Sequence, residues 1–200
     1  MITALTAEKL ACMRGERRLF DGLSFTVRAG QALAVEGANG AGKTSLLRLL
    51  AGFLAPAAGR VVVKDESGEI TDAELRGKRI GWLGHHDGLK PQLTAREQLE
   101  FYAALYAQRA DAGVLEQVGL ARQAELPCRY LSAGQKRRMA LARLVVSSRP
   151  LWLLDEPFAA LDTAGQTLVA RLMTMHCGAG GIVIAATHDP LGLGNESLKL

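Results

Sequence analysis

Residues 37–44 read Gly37-Ala38-Asn39-Gly40-Ala41-Gly42-Lys43-Thr44, which fits the pattern G-x-x-x-x-G-K-[ST] in full. A short apolar run, Ala32-Leu33-Ala34-Val35, precedes it. Leu46, Leu47, Leu49 and Leu50 follow at a spacing that predicts a helix over 43–51. Strand, glycine-rich turn and helix form the setting in which this pattern cradles phosphate. Glycines let backbone N–H groups turn inward around phosphate oxygens. The helix N-terminus adds the positive end of a dipole. In such a loop Lys43 reaches the β- and γ-phosphates and the Thr44 hydroxyl ligates Mg²⁺. The alternative is a glycine-rich turn that merely opens a helix. The complete motif in the right setting argues against it.

Further along, Leu151-Trp152-Leu153-Leu154 reads as a buried strand that ends in Asp155-Glu156. In open α/β sheets ligands bind beyond the carboxyl ends of the strands. Asp155 is placed to hold Mg²⁺, which leaves Glu156 to polarise an attacking water. A turn or cap carboxylate pair before Pro157 is the plainer reading. Leu131-Ser132-Ala133-Gly134-Gln135 has capping-box spacing, as does Thr94 with Glu97. Lys136, Arg137 and Arg138 then occupy a first helical turn, where cations oppose the dipole. A bound polyphosphate would offset that placement, and solvation of the cations would do so too.

Around these motifs the chain alternates strands and helices. Leu23-Ser24-Phe25-Thr26-Val27, Val61-Val62-Val63, Ile80-Gly81-Trp82-Leu83 and 181–186 read as strands, and 197–200 as a terminal one. Residues 56–59 read as a turn. Helices are expected from Thr94 to about Tyr106, over 111–118, from Ser132 to about Ser147, and from Asp162 through Met175. The pattern predicts an α/β protein with an early β-rich layer and a helical subdomain over about 90–148. The 200 residues suit one domain. The net charge of +4 is too small to demand nucleic acid and is compatible with an anionic ligand or a membrane surface. No apolar run approaches the roughly 18 residues of a membrane span. The first residues, Met1 to Lys9, lack the layout of a secretory signal. Cys12, Cys128 and Cys177 are odd in number and share no C-x-x-C spacing, which points to idle thiols in a reducing cytoplasm.

The order of these motifs resembles the ATP-binding cassette of ABC transporters across essentially the whole chain. Ala160-Leu161-Asp162 is similar to that family's D-loop and Thr187-His188 to its switch histidine. The resemblance implies a P-loop NTPase fold with a mixed sheet core, an N-terminal antiparallel β layer and an inserted helical subdomain. It implies that Gly37 to Thr44 and Ser45 hold ATP with Mg²⁺. It also implies a head-to-tail dimer in which Ser132, Gly134 and Gln135 of one chain close over the ATP of the other. Asp162 would couple the two sites, and His188 would join Glu156 as a catalytic residue. Where most cassettes stack an aromatic ring on adenine this chain carries Arg14, whose guanidinium plane can stack on a base. Where a glutamine normally touches Mg²⁺ and the membrane subunit stands His86, the remaining candidate metal contact.

Within the cassettes, Glu36 to Thr44, Leu83-Gly84-His85-His86-Asp87-Gly88-Leu89-Lys90, Leu93 to Glu97 and Leu131 to Arg138 resemble the ATP-binding subunits of haem exporters in cytochrome c biogenesis. This implies an ATPase on the cytoplasmic face of the bacterial inner membrane, docked on an integral membrane subunit. An ATPase subunit of another ABC exporter is the nearest alternative. A soluble cassette acting on nucleic acid or the ribosome usually carries a second cassette or a long insertion, and this chain has neither. A small-molecule kinase would need an acceptor site and an Arg-rich lid. A regulator without turnover has no use for Lys43, Asp155, Glu156 and His188 together.

Overall fold

The three most apolar strand sequences are buried on both faces, and their alternation builds two separate cores. A computed structural model describes residues 1–111, 113–188, 191 and 196–200. It opens with β1 (Ile2–Arg14) and β2 (Arg17–Arg28), an antiparallel hairpin, followed by β3 (Ala32–Glu36) and the helix α1 (Lys43–Leu50). Next come β4 (Ala58–Asp65), β5 (Gly68–Glu69), the short α2 (Ala73–Gly77) and β6 (Ile80–Leu83). The helices α3 (Ala95–Leu105), α4 (Gly113–Gln117) and α5 (Ala133–Ser147) separate β6 from β7 (Leu151–Asp155). Then follow α6 (Thr163–Gly178), β8 (Ile182–Ala186) and β9 (Glu196–Lys199).

Among the described residues the strands form two sheets. One is antiparallel, in the order β2-β1-β4-β5. The other runs β6-β7-β8-β3-β9 with every pairing parallel. The expected mixture of strand directions is thus divided between the sheets. Side chains of a strand alternate between faces. Leu33, Val35, Leu151, Leu153, Ile182 and Ile184 meet Leu46, Leu47 and Leu50 of α1 and the antiparallel sheet. Ala34, Trp152, Leu154, Val183 and Ala185 meet the helices on the other side. A parallel sheet covered on both faces needs such unbroken apolar runs.

The helix starts fall where the sequence places them. Thr94 and Ser132 each accept from the backbone N–H three residues on, and Glu97 and Gln135 reach back to complete both capping boxes. Asp162 caps α6 through a bond from the Gly165 N–H at 2.8 Å. The helix expected over 111–118 is shorter, and Ala112 lies outside the described residues. The 56–59 turn is shorter too, because β4 already begins at Ala58. At Gly59, with φ 78°, a Cβ would sit 2.2 Å from the Glu8 carbonyl oxygen, so β4 can only cross the bulge at Lys9 with glycine there. The hairpin strand β1 fills out the early β-rich layer that the sequence predicts, whereas the helix α2 has no period in the sequence and is not foreseen there.

Candidate active site

The ends of β1, β3, β6 and β7 and the start of α1 meet at a cavity of about 350 Å³. Arg14, Leu19, Ala38, Asn39, Gly40, Gly42, Lys43, Thr44, Ser45, His85, Asp155 and Glu156 line it. The loop 37–42 leaves β3 and turns into α1 through Gly37, Gly40 and Gly42, all at positive φ. At Gly42 a Cβ would press on Leu19 and Phe20 at 3.2–3.3 Å, so the helix start lies directly against β2.

Lys43 is 8% exposed, and its Nζ donates to the Gly37 carbonyl at 2.7 Å. The same Nζ lies 3.0 Å from His188 Nε2. That ring nitrogen is also 3.1 Å from Asn39 Oδ1 and 3.7 Å from Glu156 Oε1. One nitrogen cannot accept from Lys43 and donate to Asn39 at once, so the tautomer of His188 selects between them. His188 thereby bridges the loop 37–43 and the end of β7.

On the other wall the Thr44 hydroxyl donates to both Asp155 oxygens, at 3.1 and 2.9 Å. Asp155 is buried at the end of β7. A hydroxyl and a carboxylate facing one another are hard oxygen ligands. They fit Mg²⁺, which takes one or two carboxylates and completes its shell with phosphate and water. Glu156 follows at φ 48°, a left-handed backbone that costs a non-glycine residue about 1–3 kcal/mol. Its N–H donates to the Ala186 carbonyl at 2.9 Å, which ties that strained peptide to β8.

The structure corrects two readings of the sequence. His85, not His86, lines the cavity, and the two rings stand edge to face with centroids 5.5 Å apart. Both residues lie beyond the last residue of β6, where the loop and not strand alternation sets their direction. Arg137 does not present its charge to solvent or to a bound phosphate at the helix start. It is 4% exposed and bonded inside the fold. Sequence reasoning had no signal for this, since its partners are three backbone carbonyls and the Asp87 carboxylate, all far away in the chain.

Ser132, Gly134 and Gln135 do not line the cavity. They open α5, where a Cβ on Gly134 would stand 2.9 Å from the Ala160 carbonyl, against the loop leading to Asp162. The turn over 132–135 and the loop over 160–162 therefore form one surface. Arg14 does line the cavity, beside Leu19. A larger groove of about 1080 Å³ runs over the antiparallel sheet, but its charges include the Arg60–Glu8 pair and it holds nothing like the Lys43–Thr44–Asp155 set.

His188, the loop 37–44, the strand that leads into Asp155-Glu156 and the capped helix that opens at Ser132, arranged around one parallel sheet, have the layout of an ATP-binding cassette. The chain belongs to the ABC transporter family: the family profile of that description matches residues 20–159. It is by that membership a nucleotide-binding ATPase. More particularly, it falls among the cytochrome c biogenesis ATP-binding export proteins CcmA. It is 50% identical to the one from Rhodopseudomonas palustris (strain BisB5) over 98% of this chain and 97% of the relative. It is 46% identical to the one from Nitrobacter winogradskyi, with the same coverage of both chains. Among solved structures, an ABC transporter ATP-binding protein from Pyrococcus furiosus superposes with a TM-score of 0.85 over 99% of this chain and 98% of that one. At 21% identity it supports the fold alone. The structure of cbiO1 from Clostridium perfringens, part of the ABC transporter complex cbiONQ, aligns with a TM-score of 0.78 at 26% identity. It covers 94% of this chain and 80% of that one. Among the described residues no helix is long and apolar enough to cross a membrane.

Proposed function

We propose that this chain is the ATP-hydrolysing subunit of the haem exporter of cytochrome c biogenesis. It works as a head-to-tail homodimer docked on an integral membrane subunit at the cytoplasmic face of the bacterial inner membrane, and nucleic acid is not a partner. The observation that carries the chemistry is the convergence of Lys43, Thr44, Asp155 and Glu156 on one cavity, with His188 in contact with Lys43 and 3.7 Å from Glu156. The relatives at 46–50% identity carry names that place them in cytochrome c biogenesis as ATP-binding export proteins, which supports the pathway and the export role.

In this reading the loop 37–45 wraps the phosphates of ATP with its N–H groups, and Lys43 turns from the Gly37 carbonyl to the β- and γ-phosphate oxygens. Thr44 and Asp155 would hold Mg²⁺, which when bound neutralises charge on the β- and γ-phosphates. Glu156 takes the proton of the attacking water as its oxygen bonds to the γ-phosphorus and the bond to the ADP oxygen breaks. His188 orients that water and contacts the γ-phosphate. The Ser132 hydroxyl and the Gly134 N–H of the second copy close over the same phosphates from the α5 side. Arg14 lies against the adenine.

The test is replacement of the chromosomal gene by Glu156→Gln. Loss of haem-stained c-type cytochromes, with the protein still present at the membrane, is the expected result. Normal cytochrome c maturation would reject the pathway, while parental ATP turnover by the purified variant would reject the role of Glu156.

A further inference from the structure

Arg137 is a cation enclosed in the fold, and burying a cation is costly unless it is bonded on every side. Its Nη1 donates to the Gly84 carbonyl at 2.8 Å and to Asp87 Oδ1 at 3.1 Å. Its Nη2 donates to the carbonyl of Asp155 and, at 2.7 Å, to that of Glu156. Its Nε is buried without a hydrogen-bond partner among the described residues, so the terminal nitrogens carry the whole attachment. One nitrogen therefore grips the loop after β6 and the other grips the end of β7. The planar guanidinium fixes the two grips relative to each other. An apolar residue would anchor α5 without that burden, so the charge at this position needs another reason. The Glu156 peptide supplies one. It holds a left-handed φ of 48°, and its carbonyl is one of the four acceptors.

We propose that Arg137 is a positioning residue for ATP hydrolysis. It clamps the Glu156 peptide so that the carboxylate faces the phosphate cavity, and it makes that placement depend on the loop from Gly84 to Asp87. The proposal rests on reading Glu156 as the base that takes the water's proton. His85 lies on the clamped loop and lines the same cavity, so any movement of the loop is felt at the cavity wall and at the base together.

Arg137→Lys keeps the charge but offers one ammonium where two separated nitrogens are needed. In the full-length chain kcat should fall by about 10²-fold, the scale of a misplaced reacting group. KM for ATP and the affinity for a non-hydrolysable ATP analogue should stay within about threefold, because uniform binding is untouched. Asp87→Asn loosens only the loop grip and should lower kcat less. Combined with Arg137→Lys it should add little, since two changes to one link do not multiply. Parental kcat in Arg137→Lys would overturn the proposal, as would a loss of nucleotide affinity matching the loss of kcat. If Arg137→Lys does not fold, Asp87→Asn decides: reduced kcat at unchanged affinity supports the clamp, and parental kcat overturns it. Full turnover by Glu156→Gln would instead remove the reading on which the clamp rests, whatever Arg137→Lys does.

Discussion

Thr44 and Asp155 face each other across the floor of the cavity, the hydroxyl of one within 2.9 and 3.1 Å of both carboxylate oxygens of the other. One belongs to the first turn of α1 and the other ends β7, so the pair joins the phosphate loop to the carboxylate strand. Lys43, adjacent to Thr44, places its ammonium against Gly37 and His188 on the opposite wall.

Lys43→Ala should lower ATP hydrolysis by about 10²–10³-fold, the usual loss for one electrostatic stabiliser of a transition state. Binding of a fluorescent ATP analogue should weaken as well. Phosphate release at the parental rate would reject the phosphate-loop assignment.

Glu156→Gln should bind ATP and release phosphate at least about 10²-fold more slowly, since the amide bonds the water without accepting its proton. With ATP and Mg²⁺ the variant should accumulate as a dimer on size-exclusion chromatography. A monomer under those conditions would exclude the head-to-tail arrangement.

The two histidines after Gly84 should separate cleanly. His85→Ala removes a residue of the cavity lining and should reduce kcat by about tenfold, equivalent to about 1.4 kcal/mol of transition-state stabilisation. His86→Ala should leave the turnover of the isolated chain near the parental value. The reverse ranking would restore His86 to the site and remove His85 from it.

Ser132 has a structural duty apart from any ATP contact. Its Oγ accepts from the Gln135 N–H at 3.2 Å, so Ser132→Ala should cost about 1 kcal/mol of stability. Ser132→Asp keeps the cap and should recover that stability, read as a urea midpoint. Its added negative charge should still abolish ATP-dependent dimerisation. A stable Ser132→Asp chain that dimerises with ATP would confine Ser132 to capping.

The His176 ring is stacked on Trp152 at 3.9 Å, and its Nε2 lies 3.2 Å from the Pro150 carbonyl. Burial pushes its pKa below the ordinary 6.5. The unfolded chain therefore takes up a proton at a higher pH than the folded one. Stability from the neutral ring is complete above about pH 6.5 and is lost as pH falls from there toward the folded pKa. His176→Gln should flatten this acid limb of the urea midpoint. An identical pH dependence in parent and variant would rule His176 out as its cause.

Much of this architecture is legible in local sequence, and the physical reason is range. The phosphate loop, both capping boxes and the doubly buried strands are set by residues within a few positions of each other. Leu151-Trp152-Leu153-Leu154 announces its own burial, and Asp155-Glu156 announces a strand end. Arg137 announces neither its burial nor its partners, because Gly84, Asp87, Asp155 and Glu156 reach it only through the packing of α5 against the sheet. His85 and His86 are alike in sequence and differ only in which way a loop turns. The helix α2 depends on one cap, the Asp72 carboxylate taking the Leu75 N–H at 2.8 Å, and has no buried residue to give it a period.

The strand β7 is a ruler as well as a wall. Its first four side chains alternate between the two cores, and its fifth position delivers Asp155 to the floor of the cavity, one residue before the chain turns at Glu156. Removing a single residue from 151–154 would shift every side chain behind the gap by one place. Each would then face the wrong core, and the carboxylates would retreat into the sheet by one strand step, about 3.3 Å. Folding and chemistry are thus measured along the same five residues, and a length error there cannot spoil one while sparing the other.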